Sequence, residues 1–328
     1  MQAAWFDQFG PASEVLTVGE QPVPEVDAGQ VLIRVHASGV NPSDVKKRAG
    51  SFPDLLDNGF VIPHSDGAGV IEAAGSGVPD SRVGERVWVY QAQYGRRFGS
   101  AAEYVAIDSA RAVPLPDNTG FDIGACLGIP AMTAHRCVFA DGPVEGKTVL
   151  VTGGAGRVGH YAIQWAHQAG ATVIATASTP VDENACRDAG AASVVNHRET
   201  CWSDAVLDAN GGNPVDRVID VDFGANLSEV LKMIRTSGTI ATYASMQNPE
   251  PTLPFLQMMY MDLTVRLVIV YAMPEEAKQH AVTDISEKLA SGDLQHRVAH
   301  TLPLSDIAKA HELIEQGGFR GCVLVNLD

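Results

Sequence analysis

The most constraining feature of the sequence is a glycine-rich turn that directly follows an apolar strand. The turn, Gly154-x-Gly156-x-x-Gly159, comes after Val149–Thr152 and opens a segment with helical character. In such a unit the first glycine permits the tight turn, the second lets the backbone approach a pyrophosphate, and the third lets the helix pack on the strand. Three glycines would be unfavourable in backbone entropy without a ligand to approach. The segment therefore predicts a dinucleotide phosphate site, and because no Ser or Thr follows a Gly-Lys pair, it is not a nucleotide-hydrolysing P-loop.

From Lys147 onward, apolar runs alternate with segments of helical periodicity. The alternation predicts βαβ units around a parallel sheet, that is, a doubly wound α/β domain. Gly170, Gly190, Gly212 and Gly238 are expected where helix C-termini favour a residue that can adopt positive φ. The expected strands are Thr148–Thr152, Thr172–Thr176, Ser193–Asn196, Asp216–Val221, Thr239–Ala244 and Leu263–Tyr271, and the expected helices are 157–169, 181–189, 202–209, 226–235, 275–290 and 305–316.

The two ends of the chain lack this alternation. Up to about residue 115, short β segments broken by Pro and Gly predict a small antiparallel β domain. After the last helices a final strand, Cys322–Leu327, closes the chain without another βαβ unit. The C-terminal segment is therefore expected to return to the first domain. The predicted β-rich domain covers 1–120 and 272–328, and the predicted dinucleotide domain covers 121–271.

Composition and charge exclude several classes of protein. Of 328 residues 45 % are hydrophobic, which is enough for a substantial core, and 39 acidic residues outweigh 23 basic ones to give a net charge of −16. This charge disfavours nucleic acid and anionic membranes as partners. The apolar stretch Leu267–Pro274 is shorter than the roughly 20 residues that span a bilayer. The N-terminus has no signal-peptide pattern and the five cysteines form no CxxC pair, so we expect a reduced, cytoplasmic protein.

Selection between the two nicotinamide dinucleotides is expected at the end of the second parallel strand. An acidic residue there would bind the ribose 2′-hydroxyl, whereas small polar or basic residues accommodate a 2′-phosphate. Ala175–Thr179 contains no carboxylate and the first one is Asp182, so NADPH is favoured over NADH. Arg157, His197 and Arg198 are basic groups that could reach the phosphate, although Arg198 is equally a solvated surface charge. Asp182 itself is expected in the first turn of the next helix, where the helix dipole stabilises a carboxylate.

Six blocks stand in this order along the chain: ASGVNPSD (37–44), IPHSDGAGVIEAAG (62–75), GIPAMTAH (128–135), VLVTGGAGRVG (149–159), NHRE (196–199) and AHELIEQGGFRG (310–321). Together these blocks resemble the medium-chain dehydrogenase/reductase superfamily. Within it they are most similar to the zinc-independent, zeta-crystallin-like quinone oxidoreductases. The resemblance implies a GroES-like β-rich catalytic domain, an inserted Rossmann domain, NADPH as cofactor, and a homodimer or homotetramer.

The resemblance also implies a set of site residues. Asn41 is placed near the nicotinamide as a hydrogen-bond donor to a developing oxyanion, although an Asn in Asn-Pro-Ser-Asp can also simply cap the turn. Lys46 stands where many members carry a tyrosine. The cofactor contacts would be Lys46, Gly154, Ala155, Gly156, Arg157, Val158, Gly159, Ser178, His197, Arg198, Asn226, Tyr243, Ala244, Ser245, Met246, Leu267, Val268 and Ile269.

No metal is expected. The positions that hold catalytic zinc in the alcohol dehydrogenases of the superfamily are similar to Asn41, Ser65 and Ile129, and these side chains do not replace thiolate and imidazole. The segment 90–100 has no cysteine for a structural zinc. His64, beside a lost ligand position, is interpreted as a packed or hydrogen-bonded residue.

Without a Lewis acid, hydride transfer to an electron-poor conjugated carbon is favoured over alcohol oxidation. The expected activity is that of an NADPH:quinone reductase acting on a quinone or a similar conjugated carbonyl compound. One alternative is an enal, enone or enoyl-thioester double-bond reductase, although Phe52 stands where thioester reductases carry a tyrosine. Another is a non-catalytic crystallin or RNA-binding protein that holds NADPH. The basic cluster Lys46-Lys47-Arg48 is interpreted as a solvated face or a cofactor-phosphate patch, and the sixth strand is expected to pair with its copy in a dimer.

Overall fold

Two β-sheets organise the chain, one mainly antiparallel and one parallel. The computed structural model describes residues 1–327 and divides into two compact units. The first unit combines residues up to Ile129 with the C-terminal segment from Val282, and the second runs from Pro130 to Ala281. No helix in residues 1–327 is long and apolar enough to cross a membrane.

The first unit holds the mainly antiparallel sheet. The order is β14-β15-β3-β4-β5-β7 with β6 also paired to β3, and β1 and β2 form a separate pair. Its strands are β1 Gln2–Trp5, β2 Thr17–Glu20, β3 Gln30–Val40, β4 Asp66–Ala74, β5 Arg86–Val89, β6 Tyr104–Asp108, β7 Ala112–Pro114, β14 Val298–Pro303 and β15 Cys322–Asn326. Its helices are α1 Ala12–Val15, α2 Pro42–Arg48, α3 Phe121–Gly124 and α11 Ile307–Gln316.

Pairing of β15 with β3 brings the C-terminal segment into the sheet that the N-terminal part builds. The unit ends later than the predicted domain boundary at residue 120, because α3 packs on β3 and β4. The ring of Phe121 stacks on that of His36 with centroids 4.5 Å apart, and Gly39 lies against the carbonyl group of Ala125. The strand β14, parallel to β15, was not among the predicted strands.

The second unit is a parallel six-stranded sheet with the order β10-β9-β8-β11-β12-β13. Every pair within it is parallel, and the order reverses between β8 and β11. The predicted doubly wound fold is therefore confirmed. The strands are β8 Thr148–Val151, β9 Thr172–Ala177, β10 Ser193–Asn196, β11 Val215–Asp220, β12 Ile234–Thr242 and β13 Thr264–Leu267. The helices are α4 Met132–Phe139, α5 Arg157–Gln168, α6 Pro180–Asp188, α7 Trp202–Ala209, α8 Phe223–Met233, α9 Phe255–Tyr260 and α10 Glu275–Ser291, the last of which continues past Ala281.

The sixth strand is shorter than Leu263–Tyr271, the range predicted from its apolar run. Its neighbour β12 ends at Thr242, which pairs with Leu267. One further hydrogen bond, from Val268 N to Thr242 O at 2.7 Å, closes the ladder, and a 3₁₀ turn follows at Val270–Ala272. The strand therefore ends where β12 ends, its one partner among residues 1–327.

Candidate functional site

The turn between β8 and α5 is built so that glycine is required. The backbone of Gly153 is left-handed, with φ +61°. A Cβ atom on Gly159 would lie less than 3.0 Å from the carbonyl oxygen of Gly153 and 3.0 Å from the Cα of Gly154, so a side chain does not fit at that position. The turn is tied to the next strand, since Gly154 N donates to Thr176 O at 2.9 Å. The helix α5, which begins at Arg157, follows directly, and the first N–H groups of a helix have no partner within the helix itself. Backbone with no side chains in front of a helix N-terminus is the chemistry that holds a pyrophosphate.

A buried carboxyl group lies next to this turn, at the point where the strand order reverses. Asp220, the last residue of β11, is 1 % exposed, and its Oδ1 accepts from Thr152 Oγ1 at 2.6 Å and from Asn226 Nδ2 at 2.7 Å. Burial raises the pKa of Asp220, partly countered by these two hydrogen bonds. Its Oδ2 has no hydrogen-bond partner in the described chain. Ligands of doubly wound sheets bind in the crevice at this reversal, so Asp220 and Thr152 border the expected site.

Sequence reasoning did not single out Asp220. The available signal was a carboxylate at the carboxyl end of a predicted strand. Asn226, predicted to touch the cofactor, directs its amide to Asp220 and therefore also positions that carboxyl group.

The other predicted cofactor residues lie mostly at the carboxyl edge of the parallel sheet. Since all six strands are parallel, the segments that follow them meet at one edge. Asp182 lies in the first turn of α6, as expected, and is buried there. Lys46 differs, because it lies on α2 of the first unit. At the edge are the turn 153–159, Ser178 after β9, His197 and Arg198 after β10, 243–246 after β12, and 267–269 at the end of β13.

In the first unit, Asn41 belongs to a buried polar cluster around Asp66. Asn41 is 3 % exposed and Asp66 0 %. The Asp66 Oδ2 accepts from Asn41 Nδ2 and from Ile129 N, both at 2.8 Å. The pKa of Asp66 is raised to about 8, chiefly by burial and also by the like charge of Asp44, although the hydrogen bonds from Ile129 and Asn41 and the charge of Lys47 act to lower it. Asn41 also precedes α2 and its N–H donates to Asp44 Oδ2 at 2.9 Å, so the interpretation of this residue as a turn cap has a structural basis.

The interpretation of Lys46-Lys47-Arg48 as a solvated face is wrong for two of the three. Lys47 is 5 % and Arg48 1 % exposed. The Lys47 Nζ donates to Gln93 O at 2.5 Å and lies 3.4 Å from Ser65 Oγ, and Arg48 is bound to Gly10 O and Glu315. The error arose because the partners lie far away in sequence and cover both side chains. Desolvation lowers the pKa of Lys47.

The residues at the zinc positions do not fit a zinc site. The amide of Asn41 is hydrogen-bonded to Asp66, and the side chain of Ile129 is an alkyl group. The hydroxyl group of Ser65 faces the ammonium group of Lys47. Thiolate and imidazole ligands are lacking, and a fixed cation adjoins the Ser65 position. Within residues 1–327 no three or more His, Cys, Asp or Glu side chains are grouped as metal ligands would be.

His64 is a packed, hydrogen-bonded residue, as the sequence predicted. Its Nδ1 lies 2.8 Å from Ser38 Oγ and its Nε2 2.9 Å from Nε2 of His311 on α11. Both imidazoles are fully buried. Burial lowers the pKa of His64 to about 3 and holds the pKa of His311 well below its usual value, so both rings are neutral at physiological pH.

Comparison with known proteins identifies the family. The chain matches the alcohol dehydrogenase GroES-like domain over residues 27–117 and the zinc-binding dehydrogenase domain over 158–287. Quinone oxidoreductase of Rattus norvegicus is 30 % identical over 333 residues, covering 100 % of this chain and 98 % of the relative. The Homo sapiens quinone oxidoreductase is 31 % identical over 324 residues, covering 97 % and 94 %. A mycobacterial protein, solved in complex with NADPH, superimposes with a TM-score of 0.88 at 27 % identity over 100 % of both chains. The chain therefore belongs to the quinone oxidoreductase family of the medium-chain dehydrogenase/reductase superfamily.

Proposed function

We propose that the protein is an NADPH-dependent oxidoreductase that reduces quinones or similar conjugated carbonyl compounds without zinc. The observation that carries the proposal is the glycine cradle in front of α5, at the reversal of strand order between β8 and β11. Relatives named quinone oxidoreductase, and a mycobacterial neighbour complexed with NADPH, support it. When bound, the cofactor supplies the hydride.

A preference for NADPH over NADH is supported by the residues after β9. The strand ends at Ala177 and is followed by Ser178 and Thr179. The first carboxylate, Asp182, is buried in α6, where Thr179 caps its backbone N–H. A carboxylate that would favour a ribose 2′-hydroxyl is therefore absent from the residues directly after β9, and Arg157 and Arg198 provide positive charge at the same sheet edge, where His197 also lies.

Asn41 is proposed to donate a hydrogen bond to the oxygen of the acceptor as negative charge develops there. Its amide has two hydrogens, and the bond to Asp66 Oδ2 orients the group while using one of them. Such a preoriented donor stabilises an oxyanion without reorganising in the reaction.

The experiment that tests the function follows NADPH oxidation at 340 nm in EDTA with a panel of ortho- and para-quinones, short enals and a crotonyl thioester, with NADH in parallel. We expect quinone-dependent turnover that survives chelation and is faster with NADPH. Asn41→Ala is expected to lower kcat/KM for the quinone by about tenfold, the value of one hydrogen bond, with NADPH affinity unchanged. Turnover with the enals or thioester alone, or NADPH binding with no turnover, would contradict the proposal.

We further propose a homodimer formed through the outer edge of the parallel sheet. The strand β13 pairs with β12, and no strand in the described part of the chain covers its other edge. Large apolar side chains are exposed there and on α9: Leu256 at 63 %, Tyr260 at 80 % and Leu267 at 76 %. An uncovered edge strand beside an apolar surface is a site where a second copy can extend the sheet.

Light scattering coupled to size exclusion tests the dimer. The wild-type chain is expected at the dimer mass, and a Leu256→Glu/Tyr260→Glu variant at the monomer mass, because the two charges would be desolvated in the interface. Val181→Glu, an equally exposed apolar position on α6 at 72 %, is the matched control and should remain dimeric. A monomeric wild-type protein would refute the proposal.

A further inference from the structure

A cleft of about 430 Å³ in the first unit lies between the segment after α2 and the loop that follows β5. One wall is apolar and includes Phe52, Pro53 and Leu55, with Phe52 44 % exposed. The other wall carries two consecutive arginines, Arg96 and Arg97. The volume lies within the range of small-molecule sites.

The side chain of Arg97 is fixed in position by several contacts, whereas the terminal N–H groups of its guanidinium form no hydrogen bond with a described residue. Its Nε donates to Phe60 O at 2.8 Å, and its Cζ lies 4.9 Å and 5.1 Å from the ring centroids of Phe60 and Phe98. The backbone of Gly59, which has φ +101°, lies next to this guanidinium group, since a Cβ atom on Gly59 would be 3.0 Å from Arg97 Nη2. The remaining N–H groups make no hydrogen bond with any described residue. A planar cation with fixed, unsatisfied donors is suited to a carboxylate or sulfonate.

Arg96 is anchored from the opposite side. Its Nη2 donates to Ala106 O at 2.5 Å, and its carbonyl group accepts from Gln93 Nε2 at 2.8 Å. Gln93 O in turn accepts from the buried Lys47, so the loop that presents both arginines is attached to the polar cluster around Asn41. Burial and, to a smaller extent, the like charge of Arg111 lower the pKa of Arg96.

The charges in the cleft are unbalanced. Neither arginine forms an ion pair with a carboxylate of residues 1–327, and Asp54 is the single acidic residue in the lining. An excess of positive charge here is unusual on a chain of net charge −16. Two half-buried arginines that no carboxylate in the cleft neutralises leave the site suited to an anionic ligand.

We propose that this cleft binds an anionic substituent, a carboxylate or sulfonate, on an aromatic or conjugated acceptor, with Arg97 as the direct partner and Phe52 packing on the ring. The proposal rests on the proposed function and names the acceptor class that the site prefers. Acceptors with an acidic group then bind more tightly than their neutral analogues.

The test compares 1,2-naphthoquinone with 1,2-naphthoquinone-4-sulfonate as acceptors. Because the sulfonate also makes the ring more electrophilic, the quantity compared is the ratio of the two KM values across variants. Arg97→Gln should reduce the preference for the sulfonate at least tenfold, and Arg97→Lys, which keeps the charge, should retain part of it. Lys309→Gln, which removes an exposed positive charge of the same unit outside the cleft, should leave the ratio unchanged.

A second readout does not require turnover. Calorimetric titration with 2-naphthalenesulfonate is expected to show binding to the wild-type chain that weakens at least tenfold in Arg97→Gln and not in Lys309→Gln, with circular dichroism confirming that each variant is folded. Equal KM values for the two quinones in the wild type, or equal loss of sulfonate binding in both variants, would overturn the proposal. Sulfonate binding without reduction of either quinone would support the cleft and contradict the proposed function instead.

Discussion

A Gly159→Ala variant is expected to lose more than about 100-fold in NADPH affinity, or roughly 2.7 kcal/mol. The new Cβ would lie inside 3.0 Å of Gly153 O and at 3.0 Å from Gly154 Cα. Both are backbone atoms, so neither can rotate away as a flexible side chain would. Either α5 moves away from β8 or the turn deforms, and both displace the N–H groups that would hold the pyrophosphate. The measurement is a fluorescence titration with NADPH.

Gly156→Ala provides the matched comparison within the same turn. A Cβ at this position meets Gly153 O at 3.1 Å, so the protein itself accommodates it with a small shift. We expect Gly156→Ala to weaken NADPH binding with little change in thermal stability, because the second glycine serves the approach of the ligand. Gly159→Ala should in addition lower the free energy of unfolding by about 1–3 kcal/mol, the usual range for overpacking. Unchanged NADPH affinity in both variants would show that this turn is not the cofactor site.

The features that the sequence predicted best are those that depend on local pattern. The strand β10 and the helix α7 have the predicted bounds, because an apolar run between turn residues and a 3.6-residue period are visible within a few residues. The glycine turn was likewise recognisable, since its context of strand, turn and helix is contiguous. The length of β13 could not be predicted from the local sequence, because it depends on where the neighbouring strand β12 ends.

The polar cluster of the first unit could not be predicted in the same way. Asp66 is bound by Asn41 and Ile129, and His64 by His311, residues that only the tertiary fold brings together. Nothing in the local sequence distinguishes a buried Lys47 from the exposed lysines of an ordinary helix. The resemblance located Asn41, but the carboxyl group that orients it became apparent only from the structure.

The stability of the protein is expected to fall on the acid side of pH 6.5 because of the His64–His311 pair. An unfolded imidazole titrates near 6.5, whereas His64 in the fold has a pKa of about 3 and His311 one well below normal. Between these values the unfolded chain binds more protons than the folded one, so stability is present above pH 6.5 and is lost as pH falls. His64 contributes a loss of about 2 kcal/mol at pH 5, and His311 acts in the same direction. The charged groups near the pair, Arg48 and Lys47, are cations and oppose protonation further.

The titration of Asp66 has the opposite effect and lowers the stability of the protein as the pH rises on the alkaline side. Its pKa is raised from 3.8 unfolded to about 8 folded, so the folded chain binds more protons between these values. Its contribution is fully present below pH 3.8 and is lost as pH rises toward 8. From pH 6.5 to 8 Asp66 lowers stability by about 2 kcal/mol, and the unfolded imidazoles, which release their remaining protons in this range, offset a smaller part of that loss. The two effects therefore place the stability maximum near pH 6.5.

Urea unfolding between pH 4.5 and 8.5 tests the acid and the alkaline loss of stability through two variants, each compared with a matched control. Asp66→Asn keeps the acceptor oxygen for Asn41 and Ile129 but cannot titrate, so the alkaline decline should disappear, whereas Asp57→Asn, at an exposed position of the same unit, should retain it. His311→Gln should reduce the acid slope by about one proton, whereas His280→Gln, an exposed histidine, should not. An alkaline decline that persists in Asp66→Asn would exclude Asp66 as its source. Since Asp66 also orients Asn41, the Asn variant separates the charge of this carboxyl group from its hydrogen bonds: if quinone turnover survives in it, orientation alone is what the reaction requires of Asp66.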